Sequence, residues 1–412
     1  MRNRHPELLI PASSLEVLKT AVMFGADAVY IGGEAFGLRA KAKNFSMEEM
    51  KEGIEFAHAH DVKVYVTANI LAHNGDLEGV REYFKELREI KPDALIIADP
   101  AIFMLAKEIC PEIERHVSTQ ANNTNYGTFN FWWNLGAKRV VTARELSLKE
   151  IREIRAHIPA AMEIESFIHG AMCISYSGRC LLSNFFTGRD ANQGACTHPC
   201  RWKYSVVEET RPGEYMPVYE NERGTYIFNS KDLCMIEHIP EMIDAGIDSF
   251  KIEGRMKTAL YVATVARTYR KAIDDYLEDP KKYEANMPWY RDQISNCTYR
   301  QFTTGFYFGK PGDESQIYDS NTYIKEYTYL GIIGGIKDGM YRIEQRNKFS
   351  VGETVEIMKP DGQNVEVTVE KIVDENGQEQ ESAPHPKQVL YVALSGEASV
   401  YDILRRQEGV TE

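Results

Sequence analysis

The sequence predicts an α/β fold: a (β/α)8 TIM-like barrel with a cysteine-bearing insertion, followed by a small C-terminal antiparallel β-barrel domain. Three observations carry this expectation. Eight short apolar runs alternate with amphipathic stretches of helical period, the pattern of parallel strands covered on both faces by helices. Capping residues and glycines punctuate the transitions. Beyond about residue 320 the pattern changes to short alternating strands broken by Gly, Asp and Asn, as in small antiparallel barrels or sandwiches.

The expected barrel strands are 7–12, 28–33, 63–69, 94–99, 116–120, 139–144 and 162–168, with an eighth at 248–254. Three helix starts, Ser13–Glu16, Ser46–Glu49 and Ser147–Glu150, have the S-x-x-E form of a capping box. An open doubly wound sheet is the alternative, but eight strand candidates favour closure. Between the seventh and eighth strands lies an insertion of about 80 residues, roughly 169–248, holding the cysteines, a hairpin-like stretch at 204–219 and a helical pattern at 231–246. A long helix is expected at 257–278. The expected division is a barrel over 1–278, a linker over 279–320 rich in Pro, Tyr and Asn, and the β-domain over 321–412.

Composition bounds the function. The chain is 43% hydrophobic and 26% charged, with formal net charge −13, which disfavours a generic nucleic-acid binder but leaves room for a local basic face. No apolar run approaches the roughly 18 residues of a membrane span. The N-terminal stretch lacks the apolar core of a signal peptide, so a cytoplasmic location is expected. There thiols stay reduced, which favours metal binding or catalysis over disulfides.

Four of the seven cysteines, Cys173, Cys180, Cys196 and Cys200, lie within 28 residues, and Cys234 follows. Crowded thiolates suit a soft metal or an iron–sulfur cluster. A zinc site would show tighter paired knuckles, and only Cys196–Cys200 comes close, with His198 as a fourth donor. Thiol catalysis and plain burial are the remaining readings. For Cys110 and Cys297, burial dominates.

Other polar residues fall at expected strand ends, where a barrel carries its chemistry. Arg39, Lys41 and Lys43 alternate after the second strand and would suit an anionic ligand; a solvated loop is the bland alternative. Asn69, Gln120, Arg144 and Glu145 also end strands. Glu165 and His169 flank the end of the seventh strand, where His169 would move protons or support a cysteine sulfur. Lys251, Glu253, Arg255 and Lys257 alternate along the eighth strand and its exit and would share one face. A Lys251–Glu253 or Glu253–Arg255 pair lining a pocket is expected, against a purely structural ion pair. Arg201, Trp202, Lys203 and Tyr204 would suit RNA stacking and phosphate contact, or a small core under the insertion.

The run from Glu165 to Ser183, with Phe167, Gly170, Cys173, Gly178 and Cys180 in register, resembles the signature of the collagenase-like peptidase family, family thirty-two of the peptidases of unassigned mechanism. The blocks at 37–46, 118–122, 196–204, 229–234, 250–257 and 303–311 resemble that family too. The resemblance implies oxygen-independent hydroxylation by a protein carrying a 4Fe–4S cluster on four cysteines. Its branches act on a quinone ring, a ribosomal cytidine, or the tRNA wobble uridine, which becomes 5-hydroxyuridine in a prephenate-dependent reaction. A barrel with one C-terminal β-module resembles the tRNA branch. The resemblance points to Cys173, Cys180, Cys196 and Cys234 as ligands, with Cys200 the alternative. It further implies tRNA as partner and prephenate as co-substrate, for which Arg39, Lys41, Gln120 and Arg144 are, by their strand-end positions, the expected binding groups. A protein partner or paralogue also enters, since some relatives act as heterodimers. Two other functions compete: a peptidase, as the family's name says, and a non-catalytic zinc-stabilised RNA binder. The chain has neither the H-E-x-x-H nor the G-x-S-x-G motif.

Overall fold

The structure, a computed structural model, describes residues 5–37, 44–172, 180, 182–189, 191, 195–199, 205–206, 216–217, 229–297, 301–311, 316–317 and 326–408. Contacts divide the chain into two compact units. One carries the parallel barrel; the other carries residues from Thr258 to Tyr299 together with the C-terminal sheet.

The barrel strands are β1 (Glu7–Pro11), β2 (Ala28–Gly32), β3 (Lys63–Ala68), β4 (Ala94–Ile97), β5 (Glu114–Val117), β6 (Arg139–Val141) and β7 (Glu163–Ala171). After them come β8 (Asp232–Cys234) and β9 (Ser249–Ile252). Successive strands β1 to β7 pair in parallel, and β9 pairs in parallel with both β7 and β1, closing an eight-stranded ring. The expected barrel is therefore the observed one. Inside it Leu9, Ala28, Tyr30, Tyr65, Ala94 and Ile96 pack as one buried cluster, the filled interior of a TIM-type barrel.

The helices between strands are α1 (Leu15–Met23), α2 (Met47–His58), α3 (Leu77–Ile90), α4 (Pro100–Ile109), α5 (Tyr126–Leu135) and α6 (Leu148–His157). Ser46 with Glu49 and Ser147 with Glu150 form the expected capping boxes. At α1 the expectation fails by one residue: Ser14, not Ser13, accepts from the Val17 N–H at 3.4 Å, so Glu16 is out of register for a box. The fifth strand also ends earlier than expected. Ser118 accepts from the Gln120 N–H at 3.3 Å and starts a 3-10 turn over Thr119–Ala121, while Asn123 donates to the carbonyls of Ser118 and Val141. Side chains thus take over backbone groups that a longer strand would use.

Strand β7 runs three residues past its expected end, and the extension pairs antiparallel with β8, Cys234 opposite His169. The helix expected over 231–246 is therefore a strand followed by the short α8 (Ile239–Asp244), which has proline in its first turn. Helix α7 (Leu182–Thr187) lies in the insertion. Ser205–Val206 pairs antiparallel with Met216–Pro217, as the hairpin reading expected.

In the second unit, α9 (Ala259–Glu278) starts at Thr258, whose hydroxyl accepts from the Tyr261 N–H. The stretch read as a linker holds α10 (Pro280–Ala285) and α11 (Met287–Ser295), both packed on α9, and in the first unit β10 (Phe302–Thr303), parallel to β8. Asp275 of α9 ties the helices, accepting from Tyr290, Asn286 and Lys271. The C-terminal strands are β11 (Tyr327–Lys337), β12 (Met340–Glu344), β13 (Thr354–Met358), β14 (Asn364–Asp374), β15 (Glu379–Gln380), β16 (Val389–Leu394) and β17 (Ile403–Gln407). Their antiparallel order β13-β17-β11-β12-β16-β14 closes through β14–β13, with β15 on the edge of β14, around a core that includes Ile343, Phe349, Ile357, Leu390 and Leu404.

The first barrel holds a buried ion network at the N-terminal ends of its strands. Arg139 on β6 bonds Glu7 on β1 at 2.5 Å, Glu163 on β7 at 2.8 Å and Glu165 on β7 at 3.2 Å. Tyr65 and Ser249 donate to Glu7 at 2.7 and 2.9 Å. Lys251 on β9 bonds Glu165 at 2.7 Å, and Lys138 reaches Glu163 at 3.4 Å. Three carboxylates thus face three cations. Burial would raise the Glu7 carboxyl, but Arg139, Tyr65 and Ser249 outweigh it and hold it at about 2.

A buried pair costs most when halved. Lys251→Met is expected to lower unfolding free energy by roughly 3–5 kcal/mol, and the double change Lys251→Met with Glu165→Leu by clearly less. Equilibrium urea unfolding checks it; a double variant no more stable than the single one would refute the coupling. The Glu7 contribution is fully present above its ordinary value of 4.5 and is lost as pH falls towards about 2. Urea midpoints measured across that acid limb should fall less steeply in Glu7→Gln than in the wild type.

Candidate functional site at the barrel mouth

Polar groups gather where β2, β3, β6, β7 and β9 end. The Arg255 guanidinium, beyond β9, donates to Thr67 Oγ1 at 2.8 Å and is almost wholly buried. It lies against Gly32, where any Cβ would come within 2.7 Å of its Nη1. Arg144, beyond β6, donates to the Ala171 carbonyl at 3.0 Å, stacks on the Phe167 ring at 4.0 Å and comes within 3.7 Å of Glu253. Tyr30 donates to the Ile252 carbonyl at 2.9 Å, and its hydroxyl is 3.5 Å from Glu253. Asn69 donates to Ser118 at 3.3 Å.

The expected Lys251–Glu253 pairing is therefore corrected. Lys251 pairs with Glu165 deeper in the barrel, and Glu253 approaches Arg144 and Tyr30 at the mouth. Lys251 and Glu253 share a face, but Glu165 lies within reach of the ammonium on the adjoining strand, and Arg139 holds that carboxylate in place. Glu165 and Lys251 belong to the ion network, the structural alternative for them; Glu253, Arg255 and Arg144 belong to the mouth. Gln120 sits in the 3-10 turn after β5.

His169 is buried in the β7 extension, opposite Cys234. Burial, reinforced by the Lys257 cation, pushes its imidazole down to about 3. A neutral ring suits support of the neighbouring strand better than proton movement near pH 7. The extension needs Gly170: its φ is +109°, and a Cβ there would meet the Glu253 carbonyl oxygen at 2.4 Å.

Cys180, Cys196 and Cys234 are half-buried, in contrast to Cys110 and Cys297. Burial pushes the Cys110 thiol up to about 11, and Cys297 donates to the Ile294 carbonyl at 3.0 Å; both are inert core residues, as expected. Cys196 Sγ accepts from the His198 N–H at 3.4 Å. The adjoining Thr197 is tied to α7: its N–H donates to Ser183 Oγ at 3.0 Å, and its hydroxyl bonds those of Ser183 and Thr187. Half-exposed thiols with a backbone donor at sulfur have the donor chemistry of an iron–sulfur ligand set. Among the described residues no three Cys, His, Asp or Glu side chains converge as one bound metal ion would require. Cys173 and Cys200, with Arg39, Lys41, Lys43, Arg201, Trp202, Lys203 and Tyr204, lie outside the described residues.

Sequence reasoning missed Thr67, Tyr83 and Tyr307. Thr67 could have been found as the inward position two residues before Asn69. Tyr83 hides in the apolar stripe of α3; its buried hydroxyl has no partner among the described residues. Tyr307 donates to the Phe167 carbonyl across a long sequence separation, which no local pattern signals.

A closed parallel barrel with the Cys234 thiol and charged groups at its strand ends defines a barrel enzyme class. The chain belongs to the U32 peptidase family: residues 13–317 match the model for peptidase family U32, and residues 325–405 match the model for its C-terminal domain. The Bacillus subtilis protein named tRNA hydroxylation protein P1 is 43% identical over 405 residues, 98% of this chain and 95% of that protein. The Escherichia coli protein named tRNA hydroxylation protein P is 39% identical over 420 residues, 92% of this chain and 91% of that protein. The Escherichia coli 23S rRNA 5-hydroxycytidine C2501 synthase is 38% identical over 273 residues, 66% of this chain and 40% of that protein.

Ser183→Ala should release the Cys196 turn from α7 at a cost of about 1 kcal/mol. In metal-free protein the Cys196 thiol should then alkylate faster, read by mass spectrometry of the modified peptide, while Cys110 stays protected. Unchanged Cys196 alkylation would show that the Ser183–Thr197 tie does not position it.

Proposed function

We propose that this chain is an RNA-modifying iron–sulfur enzyme that hydroxylates the tRNA wobble uridine to 5-hydroxyuridine without molecular oxygen, with prephenate as co-substrate. The observation carrying this reading is similarity along nearly the whole chain to proteins named for tRNA hydroxylation. The rRNA synthase, similar over two thirds of the chain, supports the same chemistry on a pyrimidine of RNA. Work on tRNA fits a cytoplasmic location, and among the described residues no helix is long and apolar enough to cross a membrane.

Cys173, Cys180, Cys196 and Cys234 would hold a 4Fe–4S cluster, with Cys200 the alternative to one of them. Such a cluster supplies one-electron chemistry. The chain's own residues do the rest. Strand β8 brings Cys234 beside the β7 extension, and the α7 tie orders the turn carrying Cys196. Arg255 and Arg144 put buried positive charge at the mouth, suited to the carboxylates of an organic acid, and Arg39 and Lys41 would add to it. Glu253, next to Arg144 and Tyr30, orients that guanidinium.

The family's name keeps peptidase activity as a second reading. Anaerobic purification separates the two. A brown protein with about four irons and four sulfides per chain, losing colour in Cys234→Ser, is the expected result. A colourless protein with stoichiometric zinc, or gelatin cleavage lost in Cys173→Ala, would overturn it. Nucleoside analysis of tRNA from a deletion strain then tests the substrate: 5-hydroxyuridine derivatives should fall, and return with the wild-type gene but not with Arg255→Ala.

A further inference from the structure

The outer face of the C-terminal barrel carries a feature the barrel mouth does not use. On β12, β16 and β14 the residues Ile343, Leu390, Val392 and Ile372 are wholly buried in the core. Alternation therefore turns their neighbours Arg342, Tyr391 and Val373 outward, and the ladder places these side by side, Arg342 opposite Tyr391 and Tyr391 opposite Val373. From β11, Lys337 reaches across β12 to sit 5.5 Å from the centre of the Tyr391 ring. Arg342 lies along the glycine pair of β11: a Cβ on Gly334 would be 3.2 Å from its Nη1. The β11–β12 ladder shifts register between Ile333 and Gly335, beside this surface.

Charge beside the ring marks the face. Arg346, Lys359, Lys371, Arg405 and Arg406 each pair with a carboxylate of the same barrel. Lys337 and Arg342, like Lys348 and Lys387, pair with none among the described residues, and of these four Lys337 lies by the Tyr391 ring and Arg342 opposite it on the ladder, in a chain whose net charge is −13. Two unneutralised cations beside a partly exposed aromatic ring match a polyanion with stacking groups. A polyanion meeting an acidic protein needs such a local cationic spot, since the average field repels it.

We propose that Lys337, Arg342 and Tyr391 form an RNA-contact surface on the C-terminal barrel, the two cations binding phosphates and the ring stacking against an unpaired base. This rests on the tRNA reading above and adds where the RNA is held. The test is fluorescence anisotropy of full-length protein with unmodified tRNA transcript over roughly 50 to 200 mM salt. The double variant Lys337→Gln with Arg342→Gln should bind about ten-fold more weakly, and the slope of log affinity against log salt should shrink by about 0.9 for each phosphate that is no longer neutralised. Tyr391→Ala should weaken binding about ten-fold with the slope kept. Lys348→Gln, on the same barrel, should bind as wild type. Melting temperatures of all variants check folding, since these side chains lie outside the core. Wild-type affinity and slope in the double variant would overturn the surface alone. No tRNA binding by the wild type would overturn the tRNA reading as well.

Discussion

Arg139 is the interaction on which the first unit depends. Its guanidinium joins β1 to β6 and β7 through Glu7, Glu163 and Glu165. Lys251 on Glu165 carries the same network to β9, the strand that closes the ring. Charges this deep persist only when balanced, so the strands must meet in the register that pairs them. A slip of β9 by one residue would turn Lys251 outward and leave Glu165 without its ammonium. The network thus fixes the register of β7 against β9, and further along the two chains lie Phe167, His169 and Glu253. The mouth inherits its geometry from ion pairs at the other end of the strands.

Much of this was legible because each barrel strand is written locally, as an apolar run between a glycine and a helix start. What was not legible depends on partners far away in sequence. Strand β7 continues to Ala171 because β8, some sixty residues later, pairs with it. The pattern at 231–246 reads as a helix from its own residues, yet that pairing makes its first part a strand. Lys251 and Glu253 share a face in sequence, but Glu165 decides which becomes an ion pair. The capping boxes at Ser46 and Ser147 were readable because they span four residues; the box at Ser13 failed because a one-residue shift leaves that local pattern intact. The cysteine crowding was visible as chemistry, whereas the tie from Ser183 to Thr197 needs a turn to fold back on α7.

The β7 extension is a tight backbone approach. Gly170 lets two backbones approach where a side chain would collide with the Glu253 carbonyl. That approach brings β8 onto the rim and sets Cys234 opposite a histidine kept neutral by burial. On the other side of the insertion, hydroxyl groups of α7 order the turn holding Cys196. Two described thiols are thus positioned by different devices, one by a ladder and one by a capped turn. A strand ladder and a capped turn each fix one thiol by backbone bonds rather than by side-chain packing.

The same logic of placement governs the positive charge of an acidic chain. In the first unit Arg139, Lys251 and Arg255 are turned inward and buried, and Arg144 is nearly so. Cations used this way stabilise the interior and the mouth but project little field from the outer surface. A polyanionic substrate therefore meets attraction only where cations remain exposed and unpaired by carboxylates. On the C-terminal barrel carboxylates pair Arg346, Lys359, Lys371, Arg405 and Arg406, while Lys337 and Arg342, beside Tyr391, have no such partner among the described residues. In an acidic protein, where cations are left unpaired says more about a polyanionic partner than the total charge does.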